Sequence, residues 1–356
     1  MRIWEFVVTG GPCAGKTTAL SILEQALTEK GFKVIVVPET ATELITSGIC
    51  PWELDTEQFQ SLLVERTIHK EKTTRKAAKY LKRDTVILYD RGLLDNKAYM
   101  PHETFLKILS KNRLSETYAR DRYNAVFHLV TAADGAENFY TLSNNEARKE
   151  SPEQARALDK KTLNAWVGHS HLRIIDNSTG FDKKMEKLLS EVFSAMGLPI
   201  PIETERKFLI IKPLEEVLES IDGITKLKIF QHYLHSENPL IERRIRQRGD
   251  GRNFSYYYTE KKNLSNLNRQ ETERRISQDE YLSLLMESEK SLKKDRYCFV
   301  FNSQYFELDL YSSWQGTAIL EIELTSETQE IIIPDWIEVL KEVTDDPEYK
   351  NYNLAK

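Results

Sequence analysis

The sequence predicts two domains of different class: an α/β domain with a parallel sheet covered by helices on both faces, then an antiparallel β-domain. Three observations carry this. With 356 residues the chain is too long for one typical domain and fits two. Its first part alternates apolar strand patterns with helical ones. After residue 201 strand-like segments follow one another directly, as in an antiparallel sheet.

The elements follow in order. IWEFVVTG (3–10) reads as a strand leading through a loop into a helix, TTALSILEQALTEKG (17–31), that ends at a glycine. FKVIVVPE (32–39) is a second strand, and charged helices run through 55–83. TVILYDRG (85–92) reads as a buried strand, followed later by YNAVFHLV (123–130) and LRIIDN (172–177). DKKMEKLLSEVFSAMG (182–197) closes the domain as an amphipathic helix, and Gly197, Pro199 and Pro201 mark a linker. Beyond it, strands are expected at 203–211, 225–234, 241–248, 253–261, 269–276, 295–302, 304–312 and 317–325. One helix, SQDEYLSLLMESE (277–289), interrupts them, and a short one, IPDWIEVLKEV (333–343), follows. A strand set of this number can close into a barrel. The expected layout is a first domain over 1–197, a linker over 198–202, a second domain over 203–345 and a tail over 346–356. There is no internal repeat and no low-complexity tract.

Composition narrows the function classes. Fifty Lys and Arg against 55 Asp and Glu give a formal charge of −5, which argues against a general nucleic-acid coat while allowing a locally basic pocket. Cys13, Cys50 and Cys298 have neither zinc spacing nor a disulfide framework, which suits a reducing cytosol. The first residues lack a signal-peptide pattern, and no stretch approaches the roughly 18 apolar residues of a membrane span. The expectation is a soluble, cytoplasmic protein.

GGPCAGKTT (10–18) has the spacing G-x-x-x-x-G-K-[ST] and lies between an apolar strand and a helix, where a phosphate-binding loop belongs. Gly10, Gly11, Pro12, Cys13, Ala14, Gly15, Lys16, Thr17 and Thr18 would wrap the phosphates of ATP or GTP. Glycines let backbone N–H groups turn inward, Lys16 meets the outer phosphates and the Thr17 hydroxyl ligates Mg²⁺. The competing reading is a chance glycine turn. Asp90, ending a strand, is placed as an acid for the Mg²⁺ shell or for orienting a nucleophile; otherwise it is a turn aspartate. Arg91 could clamp a phosphate in two-pronged fashion. Glu39 lies at the same sheet edge, where the alternative is a capping or solvated acid. Arg148 and Arg156 could form a lid, although a solvated charged face reads better there. Cys13 reads as a small loop thiol rather than a redox switch.

GGPCAGKTT, VVPETATELI, LYDRGLLD and HLRIIDN resemble the P-loop domain shared by nicotinamide-riboside kinases and the TRPL translocation-defect trafficking proteins. Asp90-Arg91-Gly92 is also similar to the Asp-Arg pair of thymidylate kinases. The resemblance covers about the first 195 residues and implies an ATP- or GTP-binding, kinase-like fold.

IETERKF (202–208) opens the second domain. Read as a strand, it puts Glu203, Glu205 and Lys207 on one face. Same-face pairs recur: Arg244 with Arg246, Thr259 with Lys261, Glu271 with Glu273, Lys294 with Arg296, Glu307 with Asp309, and Glu321 with Glu323. For a single strand, an apolar inner face and a charged wet face is the simpler account. As a set, pairs of one sign repel unless an opposite ligand sits among them. Acidic pairs suit Mg²⁺ or Mn²⁺, and basic pairs suit phosphate oxygens. The charges therefore read as lining an enclosed polyphosphate site.

Glu203-x-Glu205-x-Lys207 resembles the ExExK signature of the CYTH superfamily, the triphosphate tunnel metalloenzymes. RRIRQR, YTEKK, RQETERRI, KKDRY, YFELDLYSSWQG and LEIEL follow in that family's order to about residue 325. The resemblance implies an eight-stranded tunnel. In it Glu203, Glu205, Asp309, Glu321 and Glu323 hold Mg²⁺ or Mn²⁺, and Arg244, Arg246, Lys261, Lys294 and Arg296 hold phosphates. Lys207 would touch phosphate or act as a general base, the latter only with a lowered pKa.

Three functions compete. One is an ATP- or GTP-binding protein whose tunnel hydrolyses a triphosphate or other phosphoanhydride, with Lys207, Lys16 and Asp90 as catalytic candidates. The layout of both domains in one chain resembles that of the TRPL translocation-defect proteins, which implies a GTP- and phosphoinositide-binding regulator of vesicle trafficking. The third is a small-metabolite or nucleoside kinase with a regulatory tunnel.

Overall fold

Two sheets of opposite kind organise the chain. The computed structural model describes all residues except 138–150, 199–204, 239–240, 264–268 and 325–328. Two compact units divide it, Met1–Val192 and Phe193–Lys356.

In the first unit β1 (Ile3–Thr9), α1 (Lys16–Glu29), β2 (Lys33–Val37), α2 (Thr40–Thr46), α3 (Thr56–Leu81) and β3 (Thr85–Asp90) follow the expected alternation. A 3₁₀ segment (Leu93–Tyr99), α4 (His102–Lys111), α5 (Glu116–Arg120), β4 (Ala125–Leu129), α6 (Pro152–Trp166), β5 (Leu172–Ile175) and α7 (Phe181–Ala195) complete it. All five strands pair in parallel in the order β2-β3-β1-β4-β5. β3 and β4 read as apolar runs because helices cover both faces, and Ile87, Leu88, Val126 and Phe127 are wholly buried. Asp55 and Ser151 cap α3 and α6, each through a reciprocal capping box with the Gln three residues on.

The second unit contains β6 (Glu205–Ile211), α8 (Glu215–Ser220), β7 (Thr225–Leu234), β8 (Ile241–Gly249), β9 (Phe254–Asn263), β10 (Arg269–Ile276) and α9 (Gln278–Leu284). It continues with β11 (Ser288–Phe301), β12 (Gln304–Tyr311), β13 (Thr317–Glu323), β14 (Val339–Glu342) and α10 (Asn351–Leu354). The sheet runs β10-β9-β8-β7-β11-β12-β13-β6-β14, antiparallel throughout. In a flat sheet the four steps from β7 to β6 would separate them by roughly 19 Å. Yet Tyr233 of β7 lies in one buried cluster with Ile319 of β13, and Leu209 of β6 packs against that cluster. The sheet is curled, and its charged face is the inner one.

Two expectations need correction. The segment 333–343 contributes no helix; it turns at Pro334–Ile337 and adds β14, a ninth strand where eight were expected. The reason is the open edge of β6, whose backbone groups pair with Val339–Glu342 and are joined by Val343 N–H donating to Lys207 O (2.8 Å). β11 also begins at Ser288 rather than 295, because β7 is ten residues long and pairs along its whole length.

Behind the outer face, Phe208, Ile210, Phe299, Phe306, Leu308 and Leu320 form a core closed by Leu218 of α8 and by Ile337. At one end of the inner face Tyr233, Leu292, Tyr311 and Ile319 pack against Leu354 and Ala355. The Tyr311 hydroxyl donates to Asn351 Oδ1 (2.8 Å), and Tyr352 stacks edge-on against Tyr233 at 4.9 Å. The segment expected as a tail, 346–356, is thus part of the packed unit.

Candidate functional site

The loop from Gly10 to Gly15 joins β1 to α1. Gly10 (φ +140°) and Gly15 (φ +85°) hold backbone conformations that side chains disfavour. A Cβ on Gly10 would lie 2.1 Å from the Leu129 carbonyl oxygen, so β4 itself requires glycine there. The loop is braced from the end of β4 and beyond. Gly11 N–H donates to Asp159 Oδ1 (2.5 Å), Ala132 N–H to Cys13 O (3.2 Å) and Lys184 Nζ to Ala14 O (3.4 Å). The Thr131 hydroxyl donates to Pro12 O. Three of these contacts take up the carbonyls of Pro12, Cys13 and Ala14 and one takes up the Gly11 N–H, and the N-terminus of α1 adds its partial positive charge. Lys16 Nζ folds back on Gly10 O (3.0 Å) and Gly11 O (2.9 Å), while Thr17 and Thr18 stand exposed on the first turn of α1.

The acids at the sheet edge gather around this loop. Arg91, in a left-handed conformation at φ 67°, binds Glu39 at 2.6 Å and approaches Asp95 at 3.7 Å. Burial pushes the Glu39 carboxyl up, but Arg91 and Lys16 together outweigh it and hold its pKa below the ordinary value. Asp90 goes the other way: burial raises its pKa against the pull of Lys16. Its buried Oδ1 has no hydrogen-bond partner among the described residues. Glu39, Lys16, Asp90 and Arg91 therefore share one electrostatic neighbourhood. Arg156 is held by the Ala133 carbonyl (2.6 Å) and Glu153 (3.2 Å), and Arg148 lies outside the described residues.

Sequence reasoning missed the brace. Asp159 contacts His128 at 3.2 Å and keeps a lowered pKa despite burial, through His128 and the Gly11 and Thr131 N–H groups. Buried Lys184 donates to Val130 O and Asn177 Oδ1, both at 2.7 Å, and burial lowers its pKa to about 8. Asp159 is 148 residues from Gly11 in sequence, so no local pattern announces it.

In the second unit the register confirms the alternation read from the sequence. Lys207 lies opposite Glu321 and Glu321 opposite Glu307; Glu205 faces Glu323 and Arg296 faces Asp309. Arg246 pairs with Tyr257 and Arg244 with Thr259, Lys261 lies opposite Glu271, and Glu203 falls outside the described residues. Arg248, next along β8 and almost wholly buried, extends the basic row on the same face.

The inner face is knitted into an ion-pair network. Arg296 donates Nε and Nη2 to Asp309 (both 2.7 Å), Nη2 also to Glu321 (2.6 Å), and Nη1 to Glu307. Lys294 donates to Asp309, and Lys207 binds Glu321 (2.7 Å) and Glu205 (3.2 Å). Arg246 binds Glu273 at 2.9 Å, and the Thr259 hydroxyl donates to the same oxygen (3.0 Å). Burial would lower the Lys207 pKa, but Glu321 and Glu205 more than offset it and raise it above the usual lysine value. That opposes the general-base reading, which needed a lowered pKa, and leaves Lys207 as a cation.

The expected metal set meets the same network. Among the described residues no group of three or more His, Cys, Asp or Glu is placed to hold a metal ion. Asp309 and Glu321 have their oxygens committed to Arg296, Lys294 and Lys207, so these two acids do not fit a standing metal cage. No helix among the described residues is long and apolar enough to cross a membrane.

No curated protein matches the chain. Among solved structures, the chain is similar to NE1496, described once as a hypothetical protein and once as an inorganic triphosphatase. Both comparisons give 31% identity and a TM-score of 0.32 over 43% of this chain, covering 97% and 93% of the respective NE1496 chains. It is also similar to a conserved hypothetical protein of Pyrococcus furiosus, at 20% identity and TM-score 0.27 over 35% of this chain and 81% of that one. The PH1012 protein of Pyrococcus horikoshii OT3 gives 19% identity and TM-score 0.27, over 35% and 80% of the two chains. A family model described as AAA domain matches residues 5–184, just over half of the chain and the whole of the glycine loop with its bracing strands; the chain belongs to that family.

Proposed function

We propose that the chain carries two phosphate sites: a P-loop that binds ATP or GTP, and a curled β-sheet that binds and hydrolyses a triphosphate or other phosphoanhydride. The observation that supports the second site best is the concentration of Arg244, Arg246, Arg248, Lys294, Arg296 and Lys207 on one inner face. That much buried and half-buried positive charge matches a short polyphosphate.

In the P-loop unit, Lys16 and the loop N–H groups hold the phosphates, Thr17 holds Mg²⁺, and Asp90, with an unpartnered buried oxygen, orients the nucleophile or the metal shell. In the β unit the guanidinium groups orient the chain, and Arg296 and Lys207 neutralise charge developing on the transferred phosphoryl group. Glu205 and Glu323, side by side on β6 and β13, are hard oxygen donors suited to Mg²⁺ or Mn²⁺ together with Glu203. This reading agrees with the resemblance to the triphosphate tunnel metalloenzymes.

The test is phosphate release from tripolyphosphate, ATP, GTP and thiamine triphosphate with Mg²⁺ or Mn²⁺, run beside Lys16→Ala and Glu205→Gln. Loss of release only in Glu205→Gln places turnover in the β unit. No release from any substrate, with nucleotide still bound, would instead support a receptor of the GTP- and phosphoinositide-binding trafficking type.

A further inference from the structure

The acids of the inner face touch cations, and these are the cations a polyphosphate would need. Arg296 is engaged by Asp309, Glu321 and Glu307, and Lys207 by Glu321 and Glu205. Most of these groups are buried: the side chains of Arg296, Glu321 and Asp309 are 7%, 6% and 0% exposed. Counter-ions at such positions are little screened by solvent.

We infer that Glu321 and Glu307 are built-in competitors of the polyanion, so that the sheet on its own holds its basic residues in a quenched state. The inference rests on the polyphosphate reading of this face. An incoming triphosphate must part Arg296 from Glu321 and Glu307, and Lys207 from Glu321, before its oxygens can occupy those donors. It then leaves buried carboxylates next to phosphate, an arrangement of like charges that opposes binding. A divalent cation accompanying the polyanion would relieve that repulsion.

Neutralising Glu321 removes both its hold on Arg296 and Lys207 and its repulsion of the polyanion, so a metal-free polyphosphate should bind better without that charge. Here Glu321→Gln frees part of Arg296 and Lys207, and tripolyphosphate binding in EDTA should tighten about tenfold. Because Glu321 is buried and its loss could compromise folding, Glu307→Gln is the second variant. Its carboxylate is more exposed, it touches Arg296 alone among the network cations described, and it should tighten binding in the same direction.

The experiment is titration calorimetry of tripolyphosphate into the full chain, wild type and each variant, with EDTA or with excess Mg²⁺, after circular dichroism has verified the fold. Tighter metal-free binding in Glu307→Gln or Glu321→Gln supports the inference. Wild-type binding that is unchanged or weakened in both variants overturns it while leaving the polyphosphate reading standing. Absence of binding in every arm, Mg²⁺ included, overturns both.

Discussion

Arg296 and Arg206 make the same kind of bond in opposite surroundings, and the difference sets what each is worth. Arg296 is buried against three carboxylates, so Arg296→Met strands negative charge in the interior and should cost roughly 3–5 kcal/mol in urea denaturation. Arg206 binds Glu342 at 2.6 Å, but both side chains are about 40% exposed. Arg206→Ala should cost less than about 1 kcal/mol, because water screens the pair and replaces it. A pH effect belongs at this scale too. Burial opposes ionisation of Asp176, but hydrogen bonds from Ser178 and Lys187 outweigh it and lower its pKa from 3.8 to about 2. A depressed acid stabilises the fold above its unfolded pKa and loses that contribution as pH falls toward its folded one. The stability of Asp176→Asn should therefore fall less steeply than wild type between about pH 4 and pH 2, measured by urea midpoints.

At the scale of elements, the glycine loop is fixed by its neighbours as much as by its own motif. A Cβ on Gly11 would meet Asp159 Cβ at 2.7 Å and Oδ1 at 2.8 Å. Gly11→Ala should therefore destabilise the protein by roughly 1–3 kcal/mol and displace the Asp159 carboxylate that holds the loop. Asp159→Asn, which keeps the shape, should cost less in the same denaturation assay. The motif was legible because its glycines, lysine and threonine are contiguous between a strand and a helix. The brace from Asp159, Thr131 and Lys184 was not, since it joins residues brought together only by the parallel sheet. In the β unit, two-residue alternation disclosed which charges share a face, and the ladder registers agree. The partner of each charge was hidden, because the sequence gives no strand order; Lys207 finds Glu321 only once β6 lies beside β13. The misread 333–343 segment has the same origin. Its helical pattern was real, but the open edge of β6 offered its backbone better partners.

For the molecule as a whole, each unit has its own core and its own charged site, and each should respond to its own ligand. Calorimetric unfolding should show that ATP or GTP with Mg²⁺, at about a hundredfold excess over Kd, raises one transition by roughly 5–10 °C. Tripolyphosphate with Mg²⁺ should raise the other. Lys16→Ala should abolish the first shift and spare the second. A single transition moved equally by both ligands would show that the units unfold together.

The inner ion-pair network also bears on how the β unit finds its fold. Side chains alternate along a strand, so sliding one strand by a single residue turns its charged row outward and its apolar row inward. In β12 such a slip would bring Phe306 and Leu308 to the charged face and send Glu307 and Asp309 into the core occupied by Phe299 and Leu320. Few mispairings of this nine-stranded sheet can then satisfy both faces at once. The buried charges therefore favour the observed register, because Lys207, Arg296, Glu307, Asp309 and Glu321 close into one network only when β6, β11, β12 and β13 are aligned.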